Sequence, residues 1–313
     1  MLRRFSHLVV FFFLMASSGF QVFSMRNSSL EQDRVKIAVM AGPTAFSVAG
    51  LNESEYDVAV LKTPNDAVAR LSNGETDLAI LPSHLCFMLL QKDDSIRILA
   101  ITGEGNLSMI SDMSALSDAM PQIIHVPAKG STPDFLVGFL YPESERDYSY
   151  SSPVQLSAML AEGKVSAAVL PEPYSSIVLN KNPNLHALRD IQTDFKVRTG
   201  HDNYPISILV TRTGFLGKHH DIGSVMSDFK SAWESSLKRP EKVAKAVSRF
   251  GFISEKDAAE TIGKSGICFY DGEQAEAGCS LLYDVIRAQN PKAFSKDSLK
   301  GFFYPGKRDS DSK

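Results

Sequence analysis

Two spacings of apolar residues alternate along this chain. Short apolar runs, several rich in β-branched residues, fall at residues 35–40, 56–61, 78–81, 96–102, 107–110, 122–126, 165–170 and 206–210, each long enough for one strand. Between them the spacing becomes helical. Gly42-Pro43-Thr44 ends the first run and opens a helix through residue 51, and Pro64 sits near the first turn of a helix over 65–71. Ser83 is placed to cap the apolar helix that follows Pro82. Lys129, Gly130, Ser131, Thr132, Pro133 and Asp134 open another helix, with Ser131 or Thr132 as cap and Pro133 in the first turn. Further helices are predicted over 154–160 and 173–179, with short strands at 147–151 and 185–188. Gly103 to Asn106 is expected to be a mobile connection. The later part is mainly helical: Met226, Phe229, Trp233 and Leu237 share a face expected to pack into a core, and helices follow over 241–250 and 273–289.

One segment occurs twice. Pro64, Ala69, Leu71, Gly74, Ala79, Leu81 and Pro82 match Pro153, Ala158, Leu160, Gly163, Ala168, Leu170 and Pro171 at a constant offset of 89 positions. Each copy predicts a helix, a left-handed glycine, a buried strand and a proline that stops the strand. The alternation gives an α/β class with mostly parallel sheets and two similar lobes: 25–108 with 204–313, and 109–203. The strand at 206–210 is the return into the first lobe.

The chain is mildly acidic, with a formal charge of −3 over 313 residues, which excludes a general affinity for nucleic acid. Arg3 and Arg4 precede a mostly apolar stretch, 8–23, that has the charge, length and position of a secretory signal peptide spanning 1–24. Retained, the same segment is an N-terminal membrane anchor. Cleavage removes two arginines and no acid, moving the formal charge from −3 to −5. The expected location is periplasmic or extracellular. Charged residues 307–313 form a tail. Cys86 lies on an apolar face; Cys268 and Cys279 either pair or remain free. His219-His220-Asp221 lacks the i,i+4 spacing of a zinc pair, so no metal site and no cofactor are expected.

Four loops at the C-terminal ends of predicted strands supply the candidate ligand contacts. They are Gly42-Pro43-Thr44, Ser83-His84 after Pro82, Lys129 with Ser131-Thr132-Pro133, and Glu172-Pro173-Tyr174. The first and third offer helix N-terminal N–H groups to an acceptor or anion. Lys129 offers a cation, His84 a hydrogen bond or a pH response, Glu172 an acceptor and Tyr174 a stacking ring. For each, the alternative is an ordinary capped helix start, a solvent-facing side chain or a core aromatic. No catalytic residue is assigned, because nucleophile-elbow, zincin, phosphate-loop and dinucleotide signatures are all absent from the sequence.

KIAVMAGPT, ARLSNGETDLAILPSH, KGSTPD, AEGKVSAAVLPEPY and QNPKAF with GFFYPGK together resemble bacterial ABC-transporter substrate-binding proteins of the sulfonate, taurine and thiamine-precursor kind. The resemblance covers about 35–307. It implies a type II periplasmic-binding-protein fold: two α/β lobes, two hinge strands and a ligand cleft. It further implies a monomeric, non-enzymatic solute-binding protein, with a membrane permease and its ATPase as partners. The chain departs from the family at Ser83-His84, where members often carry Thr-Asn. The other functions open to this sequence are an enzyme of small-heterocycle metabolism on the same fold and a membrane-anchored solute sensor.

Overall fold

The structure, a computed structural model, describes residues 34–113, 119–217 and 221–305. The expected signal peptide, His219-His220 and the charged tail lie outside the described residues. The chain runs through β1 (Val35–Met40), α1 (Pro43–Phe46), β2 (Tyr56–Leu61), α2 (Pro64–Asn73), β3 (Leu78–Pro82), α3 (Ser83–Leu90) and β4 (Ile96–Glu104). It then forms β5 (Leu107–Ser111), β6 (Ile123–His125), α4 (Thr132–Leu140), β7 (Glu145–Asp147), α5 (Pro153–Ala161), β8 (Ala167–Pro171), α6 (Tyr174–Lys181), β9 (His186–Asp190) and α7 (Ile191–Thr199). It finishes with β10 (Pro205–Arg212), α8 (Thr213–Leu216), α9 (Ile222–Lys238), α10 (Pro240–Ser248), α11 (Glu255–Thr261), β11 (Ile267–Tyr270) and α12 (Gly272–Gln289).

Two sheets result, one ordered β11-β4-β10-β3-β1-β2 and the other β7-β6-β8-β5-β9. The orders correspond strand for strand once β11 is set aside: β2, β1, β3, β10 and β4 match β7, β6, β8, β5 and β9. Two of the matched strands are exchanged between halves. β5 follows β4 directly yet pairs with β8 and β9, and β10 follows the second sheet yet pairs with β3 and β4. The chain therefore passes between sheets at Gly105 and Asn106 and again between α7 and β10. This exchange corrects the expectation of mostly parallel sheets. The pairs of β1 with β2 and β3, and of β6 with β7 and β8, are parallel. The pairs of β10 and β5 are antiparallel, because a strand arriving from the other half enters from the opposite end, and β11 also runs antiparallel to β4 at the sheet edge.

The repeated segment folds the same way twice, for local reasons. Thr63 accepts a hydrogen bond from the Asp66 N–H and Ser152 accepts one from the Gln155 N–H, with Pro64 and Pro153 opening the helices behind them. Gly74 and Gly163 both take positive φ, 77° and 70°, where each helix turns into its strand. β3 and β8 are buried up to their terminal prolines. Pro82 stands opposite Ser207 on β10, and Pro171 stands opposite Leu107 on β5.

Several local expectations change. The helix after Gly42 stops at Phe46 and the chain turns instead, bringing Gly50 against Ala232; a Cβ at Gly50 would lie 3.1 Å from the Ala232 side chain. Gly103 and Glu104 belong to β4 rather than to a mobile link, and the Glu104 N–H donates to the Gly266 carbonyl at 2.8 Å. The strand expected at 147–151 lies at Glu145–Asp147. Met226 and Phe229 are buried and Trp233 packs beside them, but Leu237 is 65% exposed, past the end of that core. All three cysteines are free and buried, so Cys268 and Cys279 do not pair. Three helices went unpredicted: α7, the single turn α8 and α11.

Candidate functional site

The C-terminal ends of strands from both sheets face each other around one candidate site. A cavity of about 420 Å³ lies there. The first sheet contributes Met40, Pro43 and Thr44 after β1, Lys62, Thr63 and Pro64 after β2, and Pro82 and His84 after β3. The second contributes Pro127, Ala128, Ser131, Thr132 and Pro133 after β6, Ser151, Ser152 and Pro153 after β7, and Pro171 after β8. Asn106, Leu107, Ile206 and Ser207, from the two passages between sheets, complete the wall. Each half thus supplies equivalent positions, as a duplicated unit closing on itself requires.

Seven prolines line the cavity: Pro43, Pro64, Pro82, Pro127, Pro133, Pro153 and Pro171. Proline fixes φ and carries no N–H, so the wall is stiff, apolar and poor in backbone donors. Most hydroxyls on it are already engaged. Thr44 Oγ1 donates to the Met40 carbonyl at 2.6 Å and accepts the Met40 N–H at 3.0 Å. Ser131 Oγ donates to the Ala128 carbonyl at 2.7 Å and caps α4 by accepting the Asp134 N–H. Ser207 Oγ lies 3.2 Å from Thr102 Oγ1. Among the described residues on this wall, Lys62 is the one with a full-time charge, and it is exposed at the rim.

His84 and Thr132 meet across the cavity. The Thr132 N–H donates to His84 Nδ1 at 3.1 Å, and the His84 N–H donates to Thr132 Oγ1 at 3.2 Å. A ring nitrogen that accepts is unprotonated, so the imidazole proton sits on Nε2. Burial pushes the His84 pKa down to about 4, which keeps the ring neutral.

The loop that carries Thr132 is held from behind. Asp134 is buried, and its carboxylate accepts the Gly130 N–H at 2.7 Å, an Arg146 guanidinium N–H at 2.9 Å and the Tyr148 hydroxyl at 2.8 Å. These contacts fix a turn in which Ala128 has φ 73° and Gly130 has φ 76°. The role given to Ser83 changes. It is the first residue of α3 rather than its cap, and its Oγ donates to the Pro205 carbonyl at 2.7 Å, tying α3 to β10.

Of the residues expected at the site, Pro43, Thr44, His84, Ser131, Thr132 and Pro133 line the cavity. Gly42, Ser83, Lys129, Glu172, Pro173 and Tyr174 lie next to the lining loops but not on the wall. Gly42 supplies the turn, with φ 115°. Lys129 Nζ sits 5.9 Å above the Tyr148 ring. The Glu172 carboxylate turns back to accept the Ser176 N–H and, at 2.9 Å, the Ser176 hydroxyl. Pro173 caps α6, and Tyr174 packs against the core beneath α5 and β8. Sequence reasoning missed Lys62-Thr63-Pro64 and Ser151-Ser152-Pro153. The signal was present, since Pro64 and Pro153 open the two copies of the repeat. No group of acidic, histidine or cysteine residues suited to a metal exists among the described residues.

No family model matches this chain, and no curated protein matches it in sequence. Solved structures do match. An ABC transporter protein from Parabacteroides distasonis superposes with a TM-score of 0.74 at 20% identity, covering 88% of this chain and 100% of the other. The ligand-binding component of an ABC-type import system from Staphylococcus aureus, solved with zinc bound, has a TM-score of 0.69 at 15% identity over 87% of this chain and 97% of its own. The periplasmic aliphatic sulphonate binding protein SsuA of Escherichia coli has a TM-score of 0.67 at 14% identity, covering 87% and 92%. At such identities the likeness is one of architecture, and with its exchanged strands and facing loops this chain has the periplasmic-binding-protein fold.

Proposed function

We propose that the protein is the solute-binding component of an ABC importer, capturing a small organic molecule between its two halves. The observation that carries this reading is the cavity itself: loops from both sheets and both inter-sheet passages enclose one space at the strand ends, where open α/β sheets take ligands. The solved structures of similar architecture are named as parts of ABC import systems, which supports the same reading. The lobes are 25–108 with 204–313, and 109–203. Ligand shifts the population toward a conformation in which both lobes contact it, and the closed form docks on a membrane permease driven by an ATPase. The protein works as an exported monomer and catalyses no reaction. Among the described residues no helix is long and apolar enough to cross a membrane.

The candidate contacts are the lining residues Pro43, Thr44, His84, Ser131, Thr132 and Pro133. Gly42, Ser83, Lys129, Glu172, Pro173 and Tyr174 shape the loops around them. Native mass spectrometry of protein purified without refolding tests the reading. A bound small molecule is expected, and adding it back to stripped protein should raise the melting temperature, since ligand that binds only the folded state stabilises it. Protein that carries nothing and answers to no member of a broad metabolite set is not a solute receptor.

A further inference from the structure

The expected anion seat in this cavity is already filled by the protein's own histidine. A helix N-terminus attracts an anion through N–H groups left free in its first turn. In α4 none of the first-turn donors is free. The Thr132 N–H is taken by His84 Nδ1, Pro133 has no N–H, and the Asp134 N–H is taken by Ser131 Oγ. The positive end of the helix also faces a carboxylate, because Asp134 is folded back onto the Gly130 N–H. The counterpart in the first half, α1, is a single turn. Elsewhere the wall is mainly proline and alkyl surface: the Thr63 and Ser152 hydroxyls accept the helix N–H groups of Asp66 and Gln155, Ser151 adds a third hydroxyl, the buried Asn106 Oδ1 is an acceptor with no partner among the described residues, and Lys62 stands at the rim, where water screens it. The ring N–H that the site presents is that of His84. With Nδ1 engaged by Thr132, the His84 Nε2–H makes no hydrogen bond within the described residues, and His84 lines the cavity.

We infer that the cavity selects an uncharged solute, a compact apolar body carrying one hydrogen-bond acceptor that meets the His84 Nε2–H, and that His84 keeps anions out by occupying the N-terminus of α4. An apolar body gains by leaving water for the proline wall. An anion loses its hydration there, finds no free N–H at the start of α4 and meets the unpartnered Asn106 Oδ1, an acceptor that repels it. The inference rests on the solute-binding reading and deepens it.

A matched pair of probes tests the charge preference: 1-butanesulfonate, and butyl methyl sulfone, in which a methyl group replaces the charged oxygen. Titration calorimetry on wild type is expected to show the sulfone binding at least tenfold more tightly than the sulfonate. His84→Ala removes the donor and frees the Thr132 N–H, so the sulfone weakens at least tenfold and the sulfonate strengthens. His84→Phe keeps the ring volume without either nitrogen. It should lose the sulfone, and it serves as the readout if the alanine variant folds poorly. Wild type that prefers the sulfonate, or variants that leave both affinities unchanged, would overturn the inference. So would a lack of binding of either probe to wild type and both variants. That last result leaves the solute-binding reading standing whenever a molecule co-purifies, so the two failures are distinguishable.

Discussion

At the scale of single residues, the cavity depends on side chains held in states they would not adopt alone. His84 is kept neutral because burial pushes its pKa down to about 4 from an ordinary value of 6.5. The unfolded chain therefore binds this proton more readily than the folded one. Stability must fall as pH drops from 6.5, and the loss is complete near 4, with the full contribution present above 6.5. Urea denaturation of wild type and His84→Phe across this range should show the wild-type advantage shrinking on acidification. A difference that is flat with pH would mean that the ring is not buried as a neutral acceptor. Ala128 is the other case. Its φ of 73° lies in the left-handed region, which costs a residue with a Cβ about 1 kcal/mol or more. Glycine relieves that strain but adds freedom to the unfolded chain, of similar size or slightly less. Ala128→Gly is expected to be neutral to about 0.5 kcal/mol stabilising. A loss of 1 kcal/mol would show that the alanine methyl packs favourably and that its turn is not strained.

Elements were legible in proportion to how locally they are specified. The two copies of the repeat carry cap, proline, left-handed glycine and strand-stopping proline within a short stretch, and both folded as expected. Their caps should be equivalent as well. Thr63→Ala and Ser152→Ala each remove one side-chain acceptor from a first-turn N–H, at a cost of about 1 kcal/mol. The two caps lie in different halves, so the double variant should lose the sum to within about 0.5 kcal/mol. Non-additivity beyond that would reveal coupling through the cavity they both line. α7 was missed because only Ile191 and Phe195 are buried along it, too few for a visible stripe. Its readable signals were at the ends, where Asp190 caps it and Gly200 closes it with φ 78°. β7 was misplaced for another reason. It is a short edge strand, and what fixes its position is Arg146 reaching Asp134 on a different element. The His84–Thr132 pair, separated by 48 positions, is of the same kind: no local pattern announces it.

At the scale of the molecule, two sheets joined by two passages need not behave as one body, yet the core is continuous. Residues of both halves share one buried cluster, with α12 lying within it. A line of edge-on rings makes the connection. Phe135 on α4 meets Phe294 just beyond α12 at 5.9 Å, Phe294 meets Tyr283 on α12 at 6.2 Å, and Tyr283 meets Phe87 on α3 at 5.6 Å. Gln289 adds a hydrogen bond from α12 to the Phe135 carbonyl at 2.9 Å. Nothing local in the sequence marks this bridge, because its members come from three distant segments. Phe294 is its middle ring and is fully buried. Truncating such a side chain costs about 3–5 kcal/mol through lost burial and the cavity left behind. Here the loss falls on the contact between halves rather than inside either sheet. Wild type should therefore melt in a single calorimetric transition whose van't Hoff and calorimetric enthalpies agree. Phe294→Ala should lower that transition and separate it into two, one for each half. Two transitions in wild type would show that the rings do not couple the halves. A single lowered transition in the variant would show that the two passages between the sheets carry the coupling without them.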